Sequence, residues 1–231
     1  MCPAVGSTSM GTDTGAPDST RGADYTGRLL RLERARWKRV LNAQAPYRWH
    51  IRRLLGAHET LDVGCGIGRN LEHLAPHGVG VDHNEHSVEV CRARGLRAFT
   101  PAQFATSGYA KPGRFSAMLV AHVIEHMTRG QAIGLLSEYL GYLAPRARVV
   151  LICPQERGYA SDPTHIRFTD FDGLTEICDA VGLSVSRQGS FPFARAAGKV
   201  FAHNQFVVVA ARAGARTRAT SLTAPGSHRA G

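Results

Sequence analysis

The chain has 231 residues, of which 43% are hydrophobic, and a formal net charge of +10; this size suits a single domain with a substantial core and flanking extensions. No apolar run has the length of a membrane span or the character of a secretory signal, so the sequence excludes a membrane-embedded protein and predicts a soluble protein of the cytoplasm. The five cysteines form no C-x-x-C pair, which favours reduced thiols.

The positive charge is concentrated towards the two ends of the chain. Residues 28–53 carry nine basic side chains and one acidic side chain, and residues 212–231 carry four arginines and no acid. Residues 54–211 carry fourteen charges of each sign. We therefore expect a nearly neutral domain over residues 56–212, and the small and polar composition of residues 1–24 and 213–231 predicts disorder at both ends.

A basic amphipathic helix is predicted within residues 25–55, because apolar and basic residues fall on opposite arcs of a helical wheel. The apolar arc holds Leu29, Leu30, Trp37, Val40 and Leu41, and the basic arc holds Arg28, Arg31, Arg34, Lys38 and Arg39. Two interpretations stay open. The helix is either a lid that packs its apolar side on the domain, or a surface that contacts phosphates or a membrane.

A glycine-rich turn follows the first predicted strand, residues 60–63. Gly64, Gly66 and Gly68 allow the chain to turn tightly and to expose backbone N–H groups at a helix start, although ordinary turns also use glycine. The next apolar run, 79–82, ends on Asp82, whose carboxylate can accept both hydroxyl protons of a ribose. The G-x-G-x-G spacing is one residue shorter than the dinucleotide fingerprint, which favours a nucleoside cofactor without phosphates.

With Asp62 ahead of the glycines and Asp82 at the end of the next strand, this region resembles the class I methyltransferases that use S-adenosylmethionine (SAM). The resemblance implies SAM as the cofactor and a binding site formed by Asp62, Gly64, Cys65, Gly66, Gly68, Asp82 and His83. It also implies that Gln103 and Phe104, after the third strand, flank the adenine; the acid that the family usually carries there is absent.

Seven apolar runs alternate with helical patterns, which is typical of a parallel α/β sheet. The runs are 60–63, 79–82, 96–100, 115–121, 147–153, 183–189 and 205–211. A capping box of Thr128 and Gln131 predicts the start of one helix, and Thr169 is predicted to cap another that runs to Gly182. The resemblance implies a Rossmann-like, seven-stranded, mostly parallel sheet with an antiparallel last strand and helices on both faces.

A second candidate site element, residues 121–127, follows the fourth strand, where open α/β sheets bind ligands. By the resemblance, His122 borders the methionine end of the cofactor, while Glu125 and His126 shape the loop. The same residues match the zinc-peptidase pattern H-x-x-E-H. Because His122 directly follows a strand, we expect it in a turn rather than on a helix face, and we predict no metal site.

A third candidate element, residues 154–168, follows the fifth strand. Its D-x-T-H-like stretch, Asp162 to His165, resembles one that faces the acceptor in some methyltransferases; alternatively, it forms a turn in which His165 hydrogen-bonds the backbone. For a hydroxyl acceptor, His165 or His126 is the predicted base, since a neutral imidazole is available near physiological pH. Four residues further along are candidates either for an acceptor wall or for ordinary packing and solvation, namely Phe191, Phe193, Arg195 and Lys199.

These patterns predict a SAM-dependent methyltransferase that acts on a small or medium-sized acceptor. Oxygen is the preferred acceptor atom, and nitrogen and carbon stay open. Two alternatives remain. One is a nucleic-acid-binding methyltransferase that uses the basic 28–53 segment, and the other is a SAM-binding protein without turnover.

Overall fold

The structure is a computed structural model that describes residues 26–27 and 44–212. Both ends that were predicted to be disordered lie outside these residues. Of the predicted basic helix, the part up to residue 43 also lies outside them, except for residues 26–27. In chain order the elements are α1 (Gln44–Leu55), β1 (Thr60–Val63), α2 (Arg69–Leu74), β2 (Gly78–Val81), α3 (Glu85–Ala93), β3 (Ala98–Phe99), α4 (Pro101–Ala105), β4 (Phe115–Ala121), a 3-10 turn (Ile124–His126), α5 (Arg129–Leu140), β5 (Leu143–Pro154), α6 (Glu156–Tyr159), α7 (Phe171–Ala180), β6 (Leu183–Phe191), a second 3-10 turn (Arg195–Lys199) and β7 (Gln205–Arg212).

The seven strands form one sheet in the order β3-β2-β1-β4-β5-β7-β6. The strands from β1 to β5 pair in parallel, and β7 runs antiparallel to both of its neighbours, β5 and β6. The predicted seven-stranded sheet with an antiparallel last strand is therefore confirmed. The chain order reverses between β1 and β4, so their carboxyl ends flank the crevice where such sheets bind ligands.

Strand side chains alternate between two apolar layers, one on each face of the sheet. On one face, Leu136 of α5 and Ile177 of α7 belong to a buried cluster with Val120 of β4. On the other face, Ile51 of α1 packs with Leu119 of β4. Helices thus cover both faces as predicted, and each fully buried aliphatic side chain contributes about 1.5 to 3 kcal/mol to the free energy of unfolding.

One predicted helix start is confirmed and the other is shifted by a residue. Thr128 and Gln131 form the predicted capping box of α5. The cap of α7 is Asp170, whose Oδ1 accepts the Gly173 N–H at 3.1 Å, so the prediction of Thr169 is wrong. A carboxylate satisfies the first-turn N–H and also interacts favourably with the positive end of the helix dipole, which a threonine hydroxyl does not.

None of the helices in residues 44–212 is both long and apolar enough to cross a membrane. The four described cysteines, Cys65, Cys91, Cys153 and Cys178, are buried free thiols. Cys2 lies outside the described residues.

Candidate functional site

Residues 64–68 form a tight turn between β1 and α2. Gly64, Gly66 and Gly68 have φ angles of 77°, 53° and 88°, a region that costs other residues about 1 to 2 kcal/mol each. A β-carbon on Gly64 would lie only 2.3 Å from Cγ2 of Val123. The turn therefore requires glycine, and the segment that follows β4 lies directly against it, as expected from the sequence.

Asp82 follows β2 and holds the glycine turn through its carboxylate. Its Oδ2 accepts the N–H of Gly66 at 2.7 Å, and its Oδ1 accepts the N–H of Asn84 at 2.9 Å. The side chain is 8% exposed, and each carboxylate oxygen has a second lone pair for a further donor. His83 lies beside it, with Nδ1 3.7 Å from Asp82 Oδ1.

Thr26 lies beside Asn84, two residues after Asp82, a contact that the sequence patterns did not indicate. Its Oγ1 is 2.9 Å from the Ser87 hydroxyl and 3.3 Å from Oδ1 of Asn84, the residue that caps α3. The side chain is fully buried. Thr26, which comes well before β1 in the chain, therefore contacts the side of the site where Asp82 lies.

Asp62 is a buried carboxyl group in the middle of β1. It alternates with Leu61 and Val63, whose side chains lie in the core cluster of α5 and α7, so its own carboxyl points to the opposite face. Neither carboxyl oxygen has a hydrogen-bond partner among the described residues. Burial, together with the nearby Asp82 carboxylate, raises the pKa of Asp62 to about 8.

Cys65, a predicted cofactor residue, directs its side chain into the protein. A β-carbon added to Gly80 would lie only 2.6 Å from Sγ of Cys65. Cys65 also belongs to a buried hydrophobic cluster with Cys91. The interaction with Cys91, together with burial, raises the pKa of the Cys65 thiol. Only the backbone of Cys65 belongs to the turn, where its N–H donates to the carbonyl of Val81 at 3.1 Å.

Gln103 and Phe104, the predicted adenine neighbours, have structural roles. Gln103 completes the capping box of α4, and its Oε1 also accepts a hydrogen bond from Arg92 at 2.8 Å. Phe104 is 1% exposed and its ring packs on those of Phe115 and Tyr142. The ring of Phe104 is therefore enclosed in the core, and a contact of residues 103–104 with the adenine stays a prediction.

His122 lies in the turn after β4, with a φ of 60°, and not on a helix. Its Nε2 is 2.9 Å from Nε2 of Gln205, and its Nδ1 is 3.2 Å from Oε1 of Glu125. Because an amide nitrogen donates, His122 accepts from Gln205 and donates its Nδ1 proton to Glu125. The arrangement fixes one oxygen of the Glu125 carboxylate, whereas the other, Oε2, is buried without a hydrogen-bond partner among the described residues.

Glu125 is 1% exposed, and its carboxyl group lies against two histidines. Burial alone would raise its pKa, but the hydrogen bond from His122 and the interactions with both His122 and His126 lower the pKa below its ordinary value. Burial and the adjacent Glu125 carboxylate raise the pKa of the Cys153 thiol. Glu125 is thus a buried carboxylate surrounded by neutral or hydrogen-donating groups.

His126 and His165 lie side by side, with ring centres 4.8 Å apart. Nδ1 of His126 is 3.1 Å from the carbonyl oxygen of Thr164, and Nδ1 of His165 is 2.7 Å from that of Tyr159. A carbonyl oxygen only accepts, so the neutral form of each ring carries its proton on Nδ1 and its lone pair on Nε2. Burial lowers the pKa of His126, which keeps that ring neutral near pH 7.

The loop that carries His165 is tied to the segment after β4. The carbonyl oxygen of Glu125 accepts the N–H groups of Ile166 at 2.9 Å and Arg167 at 3.2 Å. Asp162 Oδ1 accepts both the N–H and the hydroxyl of Thr164, which forms the local turn considered from the sequence. The two interpretations of this stretch, a local turn and a segment that faces the acceptor, are compatible, because the turn places His165 beside His126.

The four candidate acceptor residues have partners of their own or are exposed. Phe191 stacks on His50, with ring centres 4.0 Å apart, and Phe193 packs on Phe201 at 5.3 Å. Arg195 forms a two-point ion pair with Glu156. Arg195 is therefore neutralised by a carboxylate instead of facing an anionic acceptor, and Lys199 is exposed in the second 3-10 turn.

Helix α1 is the described end of the predicted basic segment. Arg52 donates from Nε to the carbonyl of His73 at 3.1 Å, and Arg53 lies over the ring of Trp49 at 5.2 Å. An open groove of about 330 Å³ lies between α1 and β6, and it shares no residue with the glycine turn or with the histidine pair. The groove is lined by Trp49, His50, Arg53, Leu54, Arg187, Ser190 and Phe191.

Comparison with known proteins assigns the chain to a family. Residues 29–188 match a family described as a methyltransferase domain. No curated protein sequence matches the chain significantly.

Solved structures share the fold at low sequence identity. A TehB-like SAM-dependent methyltransferase from Corynebacterium glutamicum is 14% identical, with a TM-score of 0.60 over 83% of this chain and 100% of that one. Magnesium protoporphyrin IX methyltransferase from Synechocystis, solved with bound S-adenosylhomocysteine (SAH), is 18% identical, with a TM-score of 0.57 over 85% and 100%. A possible histamine N-methyltransferase from Thermotoga maritima is 16% identical, with a TM-score of 0.60 over 81% and 97%.

Proposed function

The chain belongs to the family of methyltransferase domains, and on that basis we propose that it transfers the methyl group of SAM to a hydroxyl group of a small or medium-sized acceptor. One observation carries the proposal. The segment after β4 contacts the glycine turn through Val123 and, three residues later, contributes His126 to a pair of imidazoles with His165. A nucleoside-binding turn and candidate proton acceptors thus lie on connected segments at one edge of the sheet.

The residues around the turn fit SAM. Asp82 has remaining lone pairs for the two ribose hydroxyls, and the glycines leave the backbone accessible to the nucleoside. The unpartnered carboxyl of Asp62 fits the cationic methionine end, because a buried carboxylate is stabilised by an adjacent ammonium group. When bound, SAM supplies an activated methyl group on a sulfonium ion.

The histidine pair favours an oxygen acceptor. A neutral amine already presents a lone pair, whereas a hydroxyl must lose its proton as the new bond forms. His126 and His165 each direct their ring proton to a backbone carbonyl, which leaves Nε2 as the nitrogen able to accept that proton. The protein binds and aligns both reactants, and this pair receives the proton released by the acceptor.

A methyl-transfer assay with the full-length protein tests the proposal. We expect label from methyl-labelled SAM to enter a small-molecule hydroxyl compound from a metabolite extract. His165→Ala should lower kcat for that acceptor by about 10²- to 10⁴-fold, the usual contribution of general base catalysis. His86→Ala is the matched control, since His86 is a half-exposed histidine of α3 that pairs with Glu89.

The same assay separates the alternatives. An RNA extract is tested in parallel, because the basic 28–53 segment would give RNA binding that falls steeply with salt. Label that enters only RNA would mean that the acceptor is a nucleic acid and not a small molecule. Label that enters an amine with full activity in His165→Ala would contradict the oxygen acceptor, and SAM binding without any transfer would indicate a protein without turnover.

A further inference from the structure

Glu125, His126 and His165 form a compact cluster of metal-ligand types. One candidate ligand atom from each lies within 4.8 Å of the other two. Glu125 and His126 come from the 3-10 turn after β4, and His165 comes from the loop after α6. The hydrogen bonds from Ile166 and Arg167 to the Glu125 carbonyl hold the two segments together.

Both imidazoles are oriented as metal ligands are. Histidines that bind a metal through one ring nitrogen donate the N–H of the other to a carbonyl or carboxylate, which fixes the tautomer and the ring. Here Nδ1 of His126 donates to Thr164 and Nδ1 of His165 donates to Tyr159. The Nε2 lone pairs are left for an ion.

The carboxylate gives an independent indication. Glu125 is 99% buried. Its Oε2 has no partner at hydrogen-bond geometry among the described residues, and the neighbouring Cys153 thiol, which interacts with this carboxylate, is only a weak donor. Leaving a buried carboxylate oxygen unsatisfied is costly unless a cation or donor compensates it. Oε1 of the same group is held by His122, so the carboxylate is oriented in the way that a ligand carboxylate is oriented by its neighbours.

We propose that Glu125, His126 and His165 bind a divalent transition-metal ion, with Zn²⁺ as the representative ion. Two imidazole nitrogens and one carboxylate oxygen match the three-ligand sets of catalytic zinc sites, which keep a fourth position for water or substrate. Magnesium prefers an all-oxygen octahedron, so it is a poorer match to this donor set. No metal was predicted from the sequence, because the H-x-x-E-H pattern requires His122 and His126 on one helix face and does not include His165.

The role of the ion, unlike its binding, rests on the proposed function. The open position takes the acceptor hydroxyl oxygen, and the ion lowers the pKa of that hydroxyl as it does for bound water. The hydroxyl proton passes to solvent water. The oxygen then forms a bond to the methyl carbon while the carbon–sulfur bond breaks, and SAH leaves. The ion then replaces the imidazole pair as the group that prepares the hydroxyl for transfer, because both Nε2 lone pairs are used as ligands; the histidines act as bases only in the metal-free protein.

Calorimetric titration of the full-length, metal-stripped protein with Zn²⁺ tests the site. We expect about one ion per chain, with affinity reduced at least about 100-fold in His165→Ala and in His126→Ala, because each removes a ligand. His86→Ala should bind like the wild type, since that histidine lies on α3 outside the cluster. Co²⁺ provides a second readout, because its visible absorption reports coordination by the protein independently of activity.

The same samples are titrated with SAM, which checks folding and separates the two proposals. Zn²⁺ binding by the wild type and its loss in both histidine variants, with SAM binding retained, supports the site. No Zn²⁺ binding, or equal binding by His165→Ala and the wild type, overturns the metal site and leaves the cofactor proposal intact. Zn²⁺ binding at the cluster without any SAM binding supports the site and overturns the proposed function.

Discussion

Asp82→Ala is expected to weaken SAM binding by about 10²- to 10⁴-fold. In the proposed complex Asp82 accepts two charge-assisted hydrogen bonds from the ribose, each contributing about 1.5 to 3 kcal/mol, and the change removes both; every 1.4 kcal/mol corresponds to a factor of ten. It also removes the acceptor for the N–H groups of Gly66 and Asn84, so the glycine turn loses its anchor in the same variant. Calorimetry with SAM measures the effect.

Two further variants separate these contributions. Asp82→Asn keeps the shape and one acceptor oxygen, so we expect a loss of affinity smaller than that of Asp82→Ala. Glu89→Ala removes an exposed carboxylate from α3 and should bind SAM like the wild type. Undiminished SAM binding by Asp82→Ala, in a protein that circular dichroism shows to be folded, would mean that Asp82 is not the ribose ligand.

Asp62→Asn is expected to stabilise the protein increasingly as the pH rises. Burial, together with the Asp82 carboxylate, raises the pKa of Asp62 from 3.8 to about 8. The folded protein therefore holds a proton on Asp62 that the unfolded chain releases at a much lower pH. This contribution to stability is complete below about pH 4 and is lost as the pH rises through about 8.

The asparagine side chain in Asp62→Asn cannot ionise, so the free energy of unfolding of the variant does not decrease in this way as the pH rises. Between pH 5 and pH 7, the free energy of unfolding of the variant minus that of the wild type should grow by about 1.4 kcal/mol per pH unit. Urea unfolding at each pH measures it. His50 and His73, whose pKa values burial lowers to about 4, are present in both proteins and cancel in the difference.

The cofactor provides a check on the same group. In the proposed complex the ammonium group of SAM lies beside Asp62 and stabilises its carboxylate, so saturating SAM should flatten the pH dependence of the wild type. Glu89→Gln, which neutralises an exposed carboxyl on α3, is the matched control and should show no comparable slope. A pH-independent difference between Asp62→Asn and the wild type would show that Asp62 is ionised throughout this range.

Much of the fold was predictable because its signals are local. Strand β4 was predicted at residues 115–121 and is observed as Phe115–Ala121, since an uninterrupted apolar run in this context is a buried parallel strand. The capping box of Thr128 and Gln131 depends on residues three apart, and it formed as predicted. The α7 cap differed because Asp170 competes with the neighbouring Thr169 and binds the first-turn N–H more strongly.

The candidate site was predictable where local motifs and the parallel order of the strands carry the signal. The glycine turn and Asp82 meet because parallel strands bring their carboxyl ends together. The burial of the Phe104 ring was not predictable, because it depends on rings from distant elements, Phe115 and Tyr142, which a local pattern does not reveal. The approach of His165 to His126 depends on backbone hydrogen bonds to the Glu125 carbonyl, and any residue type can make those bonds.

The cofactor is the central claim, and calorimetric titration of the full-length protein with SAM, SAH and NAD in parallel tests it most directly. We expect SAM and SAH to bind at one common site, because the turn and Asp82 suit a nucleoside without phosphates. We expect no binding of NAD, whose pyrophosphate requires the longer glycine fingerprint. Binding of NAD together with no binding of SAM or SAH would contradict the assignment.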